Sequence, residues 1–341
     1  MTSEAYISAY AQSRNQWPQL TNYTRRKIKL AYTSAAKAIA AIIRDGELVN
    51  GELSFDTQRR LDQAILEGSQ AIGDAMREHI PALLTEAAAG YVAIETAFVS
   101  EAFRDLTSRV TKDGIEKMFA KVARETVQKA LNSPFSSMNK AGQLVSDGLT
   151  FWSRVPNISK EFGDDVVNMV RAAISQGRDL GKIAADVNVF VKNGKAYSIH
   201  RWGEVIEPDS ARLLKRIRYD EIDYRALRLV RSELGRGLME TAKSNGPHNP
   251  GGSGLYDWVR INSIVWKCNC QSNADNGPYT LDGSGGYKQY PPYDHPNDMC
   301  ICRQRMKDGN DFRRELEAWA NGEPNADLDR WYRNRYLPGQ F

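Results

Sequence analysis

Long stretches near the start of the chain repeat apolar residues every three or four positions. In TRRKIKLAYTSAAKAIAAIIRDG, Ile28, Tyr32, Ala35, Ile39 and Ile42 share one face of a helix that ends at Asp45-Gly46. In SFDTQRRLDQAILEGSQAIGDAMREHI, Ser54 is placed to cap a second helix, with Leu61, Ile65, Ile72 and Met76 on its buried face. Pro81 closes that segment or opens the next. From Ala82 to Ser133 no proline intervenes. YVAIETAFVSEAFRDLTSRV and IEKMFAKVARETVQKAL are both amphipathic there, with Gly114 as a candidate break. Residues 1–150 therefore read as a helical arm or bundle, packed on itself or on another subunit.

The stretch 132–157 carries Pro134, Gly142, Gly148 and Pro156 and marks a boundary. Beyond it, SKEFGDDVVNMVRAAISQG predicts a helix capped by Ser159 and stopped at Gly177, and RDLGKIAADVNVFV a short second one. EIDYRALRLVRSELGRGLMETAKSNG predicts a third, with Ile222, Ala226, Leu229 and Val230 on one side. GPHNPGGSG, 246–254, reads as a flexible loop. LYDWVRINSIVWKC reads as two short strands about an Asn-Ser turn, and CICRQRM as a returning strand. The predicted class is α+β, mostly α. A helical N-terminal region, 1–150, precedes a small α+β module, 151–310. Short antiparallel strands fastened by a cysteine cluster build that module, and residues 311–341 add a C-terminal helix and tail.

Composition narrows the class. The chain has 341 residues, 41% hydrophobic and 26% charged, which fits a folded protein of two domains. A net charge of +4 permits contact with nucleic acid without arguing for it. No run of about 18 apolar residues predicts a membrane span. The polar start, MTSEAYISAYAQSRNQWPQL, lacks the pattern of a signal peptide, so synthesis in a cytoplasm is expected.

In a reducing compartment, clustered cysteines bind metal more often than they form disulfides. All four cysteines lie in one stretch, as the pairs Cys268/Cys270 and Cys300/Cys302, with His295 just before the second pair. Two short-spaced pairs, with His295 as alternate ligand, offer the tetrahedral donors of a structural zinc. On a regular strand, however, residues i and i+2 place their sulfurs too far apart for one ion unless the backbone turns. Structural zinc, packed thiols and disulfides all stay open. A catalytic cysteine would need a base and a lowered pKa, and His295 is the one histidine near in sequence. Phosphate-loop and His-Glu-x-x-His motifs are missing. Arg212, Lys215, Arg216 and Arg218 cluster in ARLLKRIRYDEIDYR and could touch DNA phosphates or an acidic partner. Neighbouring Asp220, Glu221 and Asp223 fit a solvated helix face equally.

The order of these features resembles the phage Mu protein F-like head-morphogenesis family, the phage minor head proteins. RALRLVRSELGRGLMETA resembles the family's Arg-(Thr/Ser)-Glu helix, here Arg231-Ser232-Glu233. IVWKCNCQSNADNG and YPPYDHPNDMCIC are similar to its Trp-containing strand and its Pro-Pro-x-His-Pro-x-Cys-x-Cys ending. The likeness spans residues 155–306. It departs from the family where the first pair is Cys-x-Cys rather than Cys-x-x-Cys, and around His295, where Asp294 and Asp298-Met299 change the spacing.

The resemblance implies a virion protein inside the capsid near the portal vertex, assisting head assembly, genome packaging or ejection. Its partners would be the portal protein and a major capsid or scaffolding protein. Packaged DNA and a second copy, through the N-terminal helices, are further candidates, and no membrane is involved. The alternative is a zinc-dependent nuclease or a DNA-binding protein acting on the phage genome.

Overall fold

A computed structural model describes residues 3–138, 144–193, 224–260, 270–291 and 300–341. It is mostly helical, with short strands in small sheets, the α+β class that the hydrophobic pattern predicts. The helices are α1 (Ser3–Arg44), α2 (Phe55–Ala102), α3 (Lys112–Asn132), α4 (Phe151–Ser175), α5 (Leu180–Asn193) and α6 (Tyr224–Asn245). Three shorter ones follow: α7 (Cys270–Asp275), α8 (Gly309–Ala320) and α9 (Ala326–Trp331).

The chain folds into two compact units. One comprises Met1–Thr21, Pro81–Phe151 and Arg231–Phe341, the other Asn22–Ile80 and Trp152–Val230. The sequence reading divided the chain consecutively, near 150 and 310. The units instead gather segments far apart in sequence, because the apolar faces of the first two helices find their partners well downstream.

In the unit of Asn22–Ile80 and Trp152–Val230, α1 and α2 are joined by the hairpin β1 (Leu48–Val49) and β2 (Glu52–Leu53). Its turn is Asn50-Gly51, both at positive φ, as a tight hairpin turn of this hand requires. Ser54 caps α2 by accepting from the Thr57 amide at 3.3 Å. Ile28, Tyr32, Ala35 and Ile39 are buried, and the next core position is Ile43 rather than Ile42. Small residues bring the helices close. A Cβ on Gly68 would stand 2.8 Å from Ala35 Cβ, and one on Gly163 would stand 3.1 Å from Ile65 Cγ2. Tyr32 meets Phe162 edge-on, with ring centroids 5.6 Å apart. Helix α4 begins at Phe151, not at Ser159. The Ser159 hydroxyl donates to Val155 O inside the helix instead of capping it.

In the other unit, residues 81–102 of α2 supply Tyr91, Val92, Phe98 and Val99 to the core. α2 is long and apolar enough by length and composition to cross a membrane, but 61% of that apolar window is buried inside the protein. Gly114 lies in the first turn of α3, capped by Thr111, and the break between the helices falls at 103–111. The main sheet runs β7 (Lys288–Gln289), β6 (Tyr279–Thr280), β5 (Gly252–Val259), β8 (Ile301–Met306). β8 returns antiparallel to β5, with Trp258 opposite Cys302 and Val259 opposite Ile301. The strand expected after Asn262-Ser263 lies outside the described residues. Residues 311–341 are no loose tail. Trp331 Nε1 donates to His248 O at 2.7 Å, the Trp331 ring stacks on Phe103, and Tyr336 Oη accepts from the Thr111 amide at 3.0 Å.

The close approach at Gly68 sets the sign of a substitution. Replacing an exposed helical glycine normally stabilises by about 1 kcal/mol. Gly68→Leu, driven into Ala35, should instead lower stability by about 1–3 kcal/mol. Urea unfolding of the two proteins checks this through the midpoint, and an unchanged or raised midpoint would contradict the packing.

Candidate functional site

The structure describes three of the five residues proposed as metal ligands. Cys270 opens α7, Cys300 precedes β8 and Cys302 lies within it, and all three side chains are buried. Cys268 and His295 lie outside the described residues, as do Arg212, Lys215, Arg216 and Arg218 of the proposed basic contact. Among the described residues there is no disulfide, and no group of three or more His, Cys, Asp or Glu placed to hold a metal. Fastening of the module by a cysteine cluster is therefore unsupported.

What surrounds Cys302 is largely aromatic. Trp258 stands opposite it in the β5–β8 ladder, and the Tyr290 ring stacks on Trp258 and meets Tyr256 and Tyr279 edge-on. Burial pushes the Cys302 thiol up to about 12, with Lys243 and Tyr290 opposing the shift. A thiol raised this far by burial is almost wholly protonated near neutral pH.

The strand that carries Cys302 is held from the N-terminus. Tyr10 Oη donates to Cys302 O at 2.9 Å. One turn earlier on α1, Tyr6 Oη donates to Glu95 Oε1 at 2.6 Å. Glu95 is fully buried in α2, and its other oxygen accepts from Asn249 Nδ2. Asn249 Oδ1 in turn accepts from the Gly251 amide at 2.9 Å, which sets the turn into β5. Tyr91 packs edge-on against Tyr10. Burial pushes the Glu95 carboxyl above its ordinary range, and the hydrogen bonds from Tyr6 and Asn249 pull it back. Burial, and then the nearby Glu95 carboxyl, raise the Tyr6 phenol well above its usual value.

The sequence reading missed this cluster. Its trace is one carboxylate inside the apolar run YVAIETAFV. Asn249 had no such signal, because it sits in the glycine- and proline-rich stretch that reads as a flexible loop.

The Arg231-Ser232-Glu233 triplet lies on α6, with Ser232 and Glu233 buried. Glu233 pairs with Arg236 one turn on, at 2.5 Å. The Arg236 guanidinium donates to Ala130 O and, at 3.2 Å, to Ser133 O, and it lies 5.7 Å from the Phe135 ring. A cation on the last carbonyls of a helix completes its unpaired acceptors and opposes its negative dipole end. Arg236, paired with Glu233 of the triplet, thus anchors α6 to the C-terminus of α3. These charges are all inside the fold and occupied with one another, so what they can do chemically is hold elements in register.

No protein-family model, curated protein or solved structure matches the chain.

Two outcomes follow. A carboxyl raised by folding stabilises fully below its unfolded value of about 4.3, and that contribution is lost as pH rises through the folded value. Urea unfolding of the native protein and of Glu95→Gln across a pH series should show the native protein losing stability relative to the variant as pH rises above that point. A difference flat with pH would refute the assignment. Separately, iodoacetamide at pH 8 followed by peptide mass mapping should leave Cys302 unmodified in the folded protein and modify it in urea. Rapid native modification would be inconsistent with its burial.

Proposed function

We propose that the chain is a structural minor head protein of a tailed phage, held near the portal vertex inside the capsid, where it assists head assembly, genome packaging or ejection. The resemblance over residues 155–306 supports the reading. The observation that carries it is what the motif residues do in the fold. Ser232, Glu233, Cys300 and Cys302 are buried; Glu233 holds Arg236, whose guanidinium reaches the end of α3, and the Cys302 carbonyl accepts from Tyr10 of α1. Residues that serve as struts suit a protein whose task is to hold a shape within an assembly. In this reading the portal protein is the main partner, with the capsid or scaffolding protein, packaged DNA and a second copy as further contacts.

Co-expression with the portal protein of the same phage tests it. The two should co-purify after nuclease treatment, in a fixed ratio, and the protein should be found in assembled heads. Failure to associate with portal or capsid, together with DNA cleavage by the pure protein that a chelator abolishes, would replace this reading with a zinc-dependent nuclease.

A further inference from the structure

Two shallow grooves flank α3 in the unit that contains the C-terminal segment. One, of about 300 Å³, is lined by Glu125, Lys129, Ser244, His248 and Arg335 among others. The other, of similar size, is lined by Lys117, Lys121, Arg124 and Glu116 of α3 and by Gly339 and Gln340. On α3, Lys117 pairs with Asp113 at 2.8 Å, and Lys121 Nζ donates to Pro338 O at 3.2 Å. Lys121, Arg124, Lys129 and Arg335 have no carboxylate within 4.0 Å among the described residues. Asp113, Glu116 and Glu125 also line the grooves, and Glu116 and Glu125 have no ion-pair partner among the described residues, so the cations predominate without standing alone.

The backbone beneath these cations is firmly held. Tyr336, beside Arg335, accepts from the Thr111 amide, and a Cβ on Gly339 would stand 2.7 Å from Met118 Cβ. His248 Nδ1 lies 2.9 Å from Ser244 O, which as a carbonyl can only accept, so Nδ1 carries the proton and Nε2 is left as the ring's other polar atom. Burial, with Arg335 nearby, holds the imidazole below its ordinary range, and Glu125 and the Ser244 carbonyl oppose this.

The spacing suits an extended anion. From Lys121 to Lys129 the helix rises about 12 Å at about 1.5 Å per residue. One strand of duplex DNA presents about three or four phosphates over that length. Lysine and arginine on a rigid helix make the sequence-independent phosphate contacts by which proteins hold duplex nucleic acid. We propose that the face formed by α3 and the C-terminal segment, with Lys121, Arg124, Lys129 and Arg335 as its contacts, binds the phosphate backbone of duplex DNA without reading its sequence. These residues lie outside the stretch that resembles the head-morphogenesis family, so the inference stands or falls apart from the head-protein reading.

The test is fluorescence anisotropy of a labelled random-sequence duplex over a series of NaCl concentrations. The full chain should bind with log affinity falling linearly against log salt. Each lost phosphate contact should reduce the slope by about 0.9. Lys129→Ala/Arg335→Ala should therefore flatten it by about 1.8, and Lys121→Ala/Arg124→Ala should do the same. Lys37→Ala, an exposed cation of the other unit, should change neither slope nor affinity. Thermal melting of each variant at the native temperature shows that a loss is not unfolding. Duplex binding with the native slope in both double variants overturns the proposal, as does the absence of salt-dependent binding. Equal binding of a polyglutamate peptide, or binding of inorganic phosphate alone, also overturns it, in favour of an acidic protein partner or an adventitious anion.

Discussion

A carboxyl group with no exposed surface must find its hydrogen bonds inside the protein, and Glu95 draws them from remote parts of the chain. Tyr6 comes from the first turns of α1 and Asn249 from the turn that leads into β5. Leaving a buried polar group unsatisfied costs about 1–3 kcal/mol, and more for a charge. Losing any one donor therefore penalises all the elements that meet there. Tyr10, one turn along from Tyr6, extends the same tie to the backbone of β8. The placement of the sheet against the helices of this unit depends on these few polar contacts within an otherwise apolar core. Around them Phe98, Phe312 and Gly251 pack so closely that a Cβ on the glycine would stand 2.7 Å from one ring and 2.8 Å from the other.

A second polar strut, Glu233 with Arg236, does for α6 and α3 what Glu95 does for α1 and β5. Buried ion pairs contribute less net stability than their geometry suggests, because desolvation offsets most of the attraction. Their effect lies in specifying one arrangement: a guanidinium that must reach two particular carbonyls fixes the register of α6 on α3. With α3 fixed at that end by Arg236 and at its start by Thr111 and Tyr336, the helix is held rigidly along the face that carries the exposed cations.

How much of this was legible depended on the range of the interaction. Periodicity located the buried faces of α1 and α2 nearly to the residue, since Ile28, Tyr32, Leu61, Ile72 and Met76 answer to a local repeat. The slip from Ile43 to Ile42 reflects two adjacent isoleucines either of which satisfies the pattern. Turn chemistry ended the first helix at Asp45-Gly46, just past Arg44, and β-rich composition found β8 and all of β5 but its first residues, which read as part of the loop 246–254. Polar partners across the chain left no comparable trace. Asn249 looks like a loop residue because its neighbours are Pro250 and Gly251, yet its environment is set by a residue 154 positions away. The cysteines are a related case. Clustering in sequence suggests shared coordination, and of the five candidate ligands the described residues include Cys270, Cys300 and Cys302, of which Cys302 lies opposite Trp258 in the β5–β8 ladder.

The tie from Tyr10 to Cys302 spans 292 residues. A ribosome adding about 5–20 residues per second emits the second of these roughly 15 to 60 s after the first. During that interval the opening helix, with Tyr6, Tyr10 and Trp17 destined for the core, has no sheet to cover it. The unit closes only after β8 has emerged. Until then α1 stays as unburied apolar surface that nascent-chain chaperones can hold, and a message truncated before β8 yields a product that lacks the strand Tyr10 binds.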